Sequence, residues 1–459
     1  MQRDLLRSRL SRLPNLPPID APGAGEELDA DEEDEALDSF PTDPSSSSST
    51  ISRPLRKRLT RQDYSPLSAQ GYFAQALEVE VPISSAYVSS DPSSSSPAHF
   101  RVYYTPPAPT APSTRTAPTG LLDPDNGDDD ERTGRNGVVF VCVHGAGYSG
   151  LSFACVAQSL VEKGDGKVGV LAYDARGHEE GDEGKTRMPP APALAAVNET
   201  EQPKMALENL ADDLVRLLKV VWPDRAEAPS VILVGHSMGG AVVADACNRI
   251  QESVTEVIGV AVVDVVEGTA IDALPSMSAL VATHPTSFDS QEAAIGTFSL
   301  PFDLLFTLER SLSSPRPARL AGSLDSRTLN NPLSARISVP PLLKPGPVSP
   351  STGETSYTWR VDLQQTEPYW RGWFTGLSAK FLGCRTAKLL LLAGTDRLDK
   401  ELLIGQMQGK YQLEVYPDTG HCVHEDAPTR TAETLLSFWE RNDRTDVLKG
   451  VKKLGGPAP

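Results

Sequence analysis

The chain has 459 residues, 39 prolines, several serine runs and a hydrophobic fraction of only 39%, so we expect one globular domain with linkers rather than several domains. Its net charge of −18 disfavours nucleic acid and anionic membranes as main partners. The five cysteines lack metal-binding spacing, and neither a metal nor a cofactor is predicted. The start of the chain has no apolar signal segment and no run of about 18 apolar residues occurs, so a cytoplasmic or nuclear protein, not secreted and without a transmembrane segment, is expected.

Three segments differ in composition from the rest of the chain. Residues 1–61 combine an acidic run, a serine run and the basic cluster 53–58, which predicts a disordered tail. Residues 105–135, rich in proline, threonine and aspartate, are predicted to be a disordered insertion, and residues 443–459 a C-terminal tail. Residues 62–442 remain as the predicted folded domain.

Strands and helices alternate through this domain. Two segments with alternating apolar residues, 77–81 and 100–104, predict an antiparallel pair at its start. Later runs are apolar on both faces, which is typical of buried parallel strands. The pattern predicts an α/β fold in which a mostly parallel central sheet is covered by helices on both faces. The later strands are predicted at 137–143, 168–173, 231–234, 257–266, 388–393 and 411–416, and the helices at 152–163, 204–220, 238–250 and 427–440.

The alternation breaks down in residues 272–385, after the sixth strand, where this architecture can accept a lid above the edge at which the parallel strands end. Within it, residues 312–357 are rich in serine and proline and are predicted to be a mobile loop. A group of aromatic residues follows that loop. These aromatics either anchor the lid to the core or line a pocket for an apolar side chain, and the sequence leaves both open; they include Trp359, Tyr369, Trp370, Trp373, Phe374 and Phe381.

The run Gly235-His236-Ser237-Met238-Gly239-Gly240 directly follows a buried strand and precedes a helix. A glycine two residues to either side of Ser237 lets the strand and the helix pass closely, so the serine hydroxyl is exposed at the tip of the turn. The first N–H groups of the helix are unpaired and can stabilise an oxyanion. Ser237 is therefore the predicted nucleophile, with the Met238 N–H as one oxyanion donor.

A serine nucleophile needs a base, an acid and a second oxyanion donor. The loop His144-Gly145-Ala146-Gly147 follows a strand and predicts the Ala146 N–H as that donor. For the base, His421 is favoured over His424, since His424 looks like the start of the closing helix. For the acid, Asp264 and Asp396 each follow a strand that ends at the same edge, and the pattern does not separate them.

A set of motifs in addition to the serine turn resembles the protein phosphatase methylesterases, which are alpha/beta-hydrolases. The resemblance covers about residues 62–442, and the longer N-terminal tail and the insertions 106–135 and 312–357 depart from the family pattern. Its motifs are Arg61-Gln62-Asp63-Tyr64-Ser65-Pro66-Leu67, Gly235-His236-Ser237-Met238-Gly239-Gly240, Asp264-Val265-Val266-Glu267-Gly268, Tyr369-Trp370-Arg371-Gly372-Trp373-Phe374, Gly394-Thr395-Asp396-Arg397-Leu398-Asp399, Ile404-Gly405-Gln406-Met407 and Gly420-His421-Cys422-Val423-His424-Glu425-Asp426.

The resemblance implies a catalytic triad of Ser237, Asp264 and His421, so it prefers Asp264 to Asp396. It also implies the substrate, which is the C-terminal leucine methyl ester of the catalytic subunit of protein phosphatase 2A, and a protein that is monomeric outside that complex. Residues 404–410 are implied to lie near the rim of the site. The candidates for contact with substrate or partner are Gly145, Trp370, Trp373 and Met407.

Two other functions stay open at this point. A general carboxylesterase or lipase of the same fold would use the same residues on small or acyl-chain esters. A protein that chiefly binds and regulates the phosphatase would need the partner surface more than the catalytic serine.

Overall fold

The computed structural model describes residues 64–82, 98–108, 137–178, 205–283, 285–299, 329–348, 355–394 and 398–443. All of them belong to one compact unit that spans Leu59–Pro459. The predicted tail 1–61, residues 444–459 and most of the predicted insertion 105–135 lie outside the described residues, and so does Asp396.

The centre of the fold is a sheet of eight described strands in the order β1-β2-β4-β3-β5-β6-β10-β11. β1 pairs antiparallel with β2, and β2 with β4, whereas the other neighbours are parallel. The residues of β3, β4 and β5 are all buried, as their apolar runs predicted. The strands are β1 Gln75–Val81, β2 Ala98–Thr105, β3 Val138–Val143, β4 Val168–Tyr173, β5 Ser230–His236, β6 Val257–Val263, β10 Ala387–Leu392 and β11 Gln412–Val415.

Helices cover both faces of this sheet. Alternate residues of a strand point to opposite faces, so Val139 and Val141 join one apolar core and Phe140 and Cys142 the other. The first core packs against α2, α3, α7 and α8, and the second against α1 and α11. The predicted α/β architecture is confirmed. These helices are α1 Ala154–Lys163, α2 Leu207–Val221, α3 Met238–Ser253, α7 Glu367–Phe374, α8 Leu377–Gly383 and α11 Pro428–Asn442.

The region after β6 contains more regular structure than its composition predicted. Within the predicted loop 312–357, the described residues form helix α6, Pro332–Ser338, and strand β8, Leu343–Val348. The α6 helix starts there because Asn331 accepts the Leu333 N–H in its side chain and Pro332 occupies the first turn. The other elements of this region are α4 Glu267–Thr283, β7 Ser287–Phe288, α5 Gln291–Ser299 and β9 Thr355–Trp359, and the strands form a small sheet in the order β7-β9-β8.

Two short helices flank β11 at the carboxyl edge of the large sheet. Helix α9, Lys400–Met407, begins at Asp399, whose carboxylate accepts the Leu402 N–H at 2.9 Å. Helix α10, Val423–Asp426, follows the loop after β11. Because parallel strands end at the same edge of a sheet, the residues after β3, β5, β6 and β11 meet there.

Candidate active site

Ser237 occupies a strained turn between β5 and α3. Its backbone has φ 51° and ψ −117°, which a residue with a side chain rarely adopts and which is typical of functional sites. A Cβ on Gly235 would collide with the carbonyl oxygen of Gly239, and a Cβ on Gly239 with that of Val143. Only glycine therefore allows β3, β5 and α3 to approach this closely, which is the reason predicted for the glycine spacing.

The structure brings Asp264 and His421 together. Asp264 follows β6, His421 lies in the loop after β11, and His421 Nδ1 is 2.7 Å from Asp264 Oδ2. The other carboxylate oxygen, Oδ1, accepts the Ala393 N–H at 2.7 Å. The Asp264 side chain is 8% exposed and that of His421 51% exposed. This contact orients the His421 ring while about half of its side chain stays accessible to solvent.

Two residues that the sequence did not single out as functional hold the loop of His421. His236 Nε2 lies 3.0 Å from the His421 carbonyl oxygen, and the two rings are 4.7 Å apart. Asp426 accepts the Gly420 N–H at 2.6 Å. Their positions beside the serine and in the His424-Glu425-Asp426 run were the available signals, but the contacts depend on the tertiary fold.

His424, the alternative base, lies in a very different environment. It is fully buried, stacks on Phe153 at 4.4 Å between ring centroids, and neither ring nitrogen has a hydrogen-bond partner among the described residues. Burial, with a smaller contribution from His421, lowers the pKa of His424 to about 3. A neutral ring inside the core cannot reach a substrate.

The loop after β3 lies directly against the serine turn. A Cβ on Gly145 would lie 2.8 Å from His236 Nδ1 and 3.3 Å from the Ser237 Cβ. Gly145 is buried and Ala146 is half-buried. Met238 is the first residue of α3, where helix N–H groups lack an intrahelical partner. The predicted oxyanion donors, Ala146 and Met238, therefore belong to segments that flank Ser237.

The predicted contact residues lie in contrasting environments. Met407, at the end of α9, is 81% exposed, and Leu403 and Ile404 of the same helix are exposed too. Trp370 and Trp373 are instead buried, with indole N–H groups that donate to Thr366 Oγ1 and to the Met205 carbonyl. Their rings fill the core beneath α7, so neither residue offers an exposed surface in this structure, whereas Met407 does.

Comparisons with known proteins extend this description. Residues 140–434 match the family model described as the alpha/beta hydrolase family. A protein named protein phosphatase methylesterase 1 from Cryptococcus neoformans is 40% identical over 99% of this chain and 95% of its own length. The protein of that name from Gibberella zeae is 44% identical over 68% of each chain. The chain belongs to the protein phosphatase methylesterase 1 family.

A solved structure has a similar fold, in agreement with this family membership. The peroxisomal alpha-beta-hydrolase of Saccharomyces cerevisiae aligns with a TM-score of 0.51 and 13% identity, over 83% of this chain and 92% of that one. The predicted alpha/beta-hydrolase fold is confirmed. Among the described residues, no helix has the length and apolar character needed to cross a bilayer, and no group of three or more His, Cys, Asp or Glu side chains could hold a metal ion.

Proposed function

We propose that this protein is a serine carboxylesterase that removes the methyl ester from the C-terminal leucine of the protein phosphatase 2A catalytic subunit. The observation that carries the chemistry is the 2.7 Å contact between His421 Nδ1 and Asp264 Oδ2, at the edge where Ser237 sits in a strained turn. Membership in a family of proteins named methylesterases supports the substrate.

The proposed reaction is a two-step acyl transfer. Because the Asp264 carboxylate holds Nδ1–H of His421, the neutral ring presents Nε2 as the acceptor of the Ser237 proton. The serine oxygen then attacks the ester carbonyl, the C–OCH₃ bond breaks, and methanol leaves with the proton from His421. Water, activated by the same ring, hydrolyses the acyl-enzyme and releases the leucine carboxylate and a proton.

Two backbone N–H groups are proposed to bind the oxyanion of each tetrahedral intermediate. They belong to Ala146, in the loop against Ser237, and to Met238, at the start of α3. Removal of one such donor costs on the order of 10²–10³ in kcat in serine hydrolases. Gly145 contributes by allowing the loop to approach, since a side chain there would press on His236.

We further propose that helix α9 contacts the phosphatase. Its exposed Leu403, Ile404 and Met407 form an apolar surface, which is uncommon on a helix without a partner. The helix begins beside the start of α4, because a Cβ on Gly268, four residues after Asp264, would be 3.4 Å from the Asp399 Cβ. We expect the protein to be a monomer outside this complex and to act in the cytoplasm or the nucleus.

Mass spectrometry of the phosphatase C-terminal peptide tests the substrate and the nucleophile together. After incubation of the methylated phosphatase with the wild-type protein, the methyl ester should disappear, and it should persist with Ser237→Ala. Persistence with the wild-type protein would contradict the substrate, and loss with Ser237→Ala would contradict the nucleophile.

A second pair of variants separates a methylesterase from a general esterase. Met407→Asp should raise KM for the methylated phosphatase about tenfold or more, because it places a charge in an apolar contact. Hydrolysis of a short chromogenic ester should be unchanged. Val220→Asp, which alters an exposed apolar residue on α2, is the matched control and should change neither. Equal effects of both variants, or equal turnover of both substrates, would favour a general esterase.

A further inference from the structure

Two loops at the carboxyl ends of neighbouring strands each carry a buried histidine. The loop 144–147 follows β3 and begins with His144, and the loop 174–178 follows β4 and ends with His178. β3 and β4 pair in parallel, so the loops lie side by side. The two rings are 4.9 Å apart and almost completely buried. Neither histidine has a part in the proposed acyl transfer.

Each histidine accepts a backbone N–H from the other loop. Ala175 N–H donates to His144 Nε2 at 2.9 Å, and Gly147 N–H donates to His178 Nε2 at 2.9 Å. We refer to His144, His178 and these two bonds as the histidine clasp. The bonds cross between the loops in opposite directions, so neither loop can shift without breaking one of them.

The two acceptor roles fix the tautomer of each ring. A neutral imidazole whose Nε2 accepts a hydrogen bond carries its proton on Nδ1. His144 Nδ1–H then donates to the Gly145 carbonyl at 2.7 Å, and His178 Nδ1–H to the Arg176 carbonyl at 3.1 Å. Burial lowers the pKa of His144 to about 3 and that of His178 to about 4, so both rings stay neutral acceptors at physiological pH.

The bond from His144 acts on the peptide group that supplies the proposed oxyanion donor. The Gly145 carbonyl and the Ala146 N–H belong to one planar trans peptide, so they point in opposite directions. Once the carbonyl is held by the His144 ring, the Ala146 N–H must point away from that ring. Tyr148 N–H donates to the same carbonyl at 3.2 Å, and such bonds polarise the peptide and strengthen its N–H as a donor.

The second bond acts on the next peptide. The Gly147 N–H shares a plane with the Ala146 carbonyl, so its bond to His178 sets the orientation of the backbone on the far side of Ala146. Gly147 has φ +79°, a conformation in which the glycine backbone is otherwise free to turn. The clasp therefore fixes both peptide groups that flank the Ala146 α-carbon.

The loop 174–178 is itself firmly anchored. Arg176 donates two hydrogen bonds, of 2.7 and 2.6 Å, to the buried carboxylate of Asp213 on α2. Asp174 accepts the Gly150 N–H at 2.7 Å just beyond the first loop. The loop 174–178 is thus held by the packed core, and the clasp positions the loop 144–147 against this fixed part of the protein.

We propose that His144 and His178 are positioning residues that aim the Ala146 N–H at the oxyanion formed on Ser237. This inference rests on the proposed function, because it takes Ala146 as an oxyanion donor. Neither ring touches the substrate. The clasp supplies the fixed geometry that an oxyanion hole needs before the reaction begins.

Two polar variants of His178 provide the test. In His178→Gln the side-chain oxygen reaches the former position of Nε2 and can accept the Gly147 N–H, whereas in His178→Asn it falls one methylene short. The readouts are the acylation rate constant and KM with a short chromogenic ester, and the inhibition constant of a trifluoromethyl ketone whose hemiketal oxygen mimics the oxyanion.

For His178→Asn we expect acylation to slow about 10- to 100-fold with KM nearly unchanged, and the ketone to bind more weakly by a similar factor. His178→Gln should stay within about threefold of wild type in both readouts. A folded His178→Asn protein with wild-type acylation and ketone binding would overturn the proposal, and so would equal losses in the two variants.

A measurement on the wild-type protein does not depend on how the variants fold. In ¹⁵N NMR spectra, both His144 and His178 should be neutral Nδ1–H tautomers that do not titrate between pH 5 and 9. An Nε2–H tautomer of either ring would overturn the clasp. A wild-type protein that hydrolyses the short ester but not the phosphatase methyl ester would overturn the proposed substrate alone.

Discussion

His421 and His424 are three residues apart, yet they lie in opposite environments. His421 is about half exposed and its ring is held by the Asp264 carboxylate. His424 is fully buried, stacks on Phe153 and lies beside the buried carboxyl of Glu425. A carboxylate partner and access to solvent make an imidazole a usable base, whereas burial without a partner keeps it neutral and inert. The environment of His421 therefore suits a catalytic base, whereas His424 is a buried residue that packs beneath the loop of His421.

Removal of the proposed base should have the largest effect on the reaction. His421→Ala should lower kcat about 10⁴- to 10⁶-fold, because it removes the group proposed to accept the Ser237 proton. Steady-state hydrolysis of a short ester measures this loss. The free energy of unfolding should change little, since the ring is half exposed. A loss below about tenfold would place the base elsewhere.

Substitution of the proposed acid should give the next largest decrease in kcat. Asp264→Asn should lower kcat about 10⁴-fold, because the amide can donate to Nδ1 and stabilise the wrong tautomer of His421. The matched control is Asp396→Asn, the acid that the sequence pattern could not exclude. Kinetics of both variants on one ester decide between them, and a larger loss in Asp396→Asn would reverse the assignment.

Part of the fold and of the candidate site could be predicted from the sequence. The strands β3 and β4 were placed to within one residue and β5 to within two, because a fully buried parallel strand needs an apolar residue on both faces. Ser237 could be predicted as well, since the glycines around it have a steric reason that is visible in the sequence.

Other parts depend on contacts between distant segments. Asp264 and Asp396 both follow parallel strands, and the choice needs the position of His421, 157 residues from Asp264 along the chain. The burial of Trp370 and Trp373 depends on what packs above them. Helix α6 was missed, because a composition rich in serine and proline hides a proline that begins a helix and an asparagine that caps it.

Among the buried groups next to His424, Glu425 should make the free energy of unfolding depend on pH. Burial raises its pKa from 4.5 to about 8, with Asp426 adding to the increase and the Ser338 hydroxyl opposing it. The folded state then keeps a proton that the unfolded chain loses, so this group makes the free energy of unfolding fall as pH rises from about 4.5 to 8. Glu425→Gln should remove that slope.

Chemical denaturation of the two proteins at several pH values measures this effect. They should be similarly stable near pH 4.5, and Glu425→Gln should become more stable than wild type by on the order of a few kcal/mol above pH 8. A difference that does not change with pH would mean that Glu425 ionises at its ordinary pKa.

The smallest effect is expected at His424. His424→Leu removes two buried ring nitrogens that lack partners among the described residues. The free energy of unfolding should rise by about 1 kcal/mol, and kcat should stay within about threefold of wild type. Thermal unfolding and ester hydrolysis measure the two quantities. A loss of kcat comparable to that of His421→Ala would give His424 a catalytic role after all.

The most direct test of the central claim, that Ser237 is the nucleophile activated by His421, is covalent labelling with a fluorophosphonate followed by peptide mapping. The serine oxygen displaces fluoride only when a base removes its proton and the oxyanion hole binds the phosphonyl oxygen. We predict rapid labelling at Ser237 in the wild-type protein and in His424→Leu, and almost none in His421→Ala. Labelling at another residue, or rapid labelling of Ser237 in His421→Ala, would contradict the account.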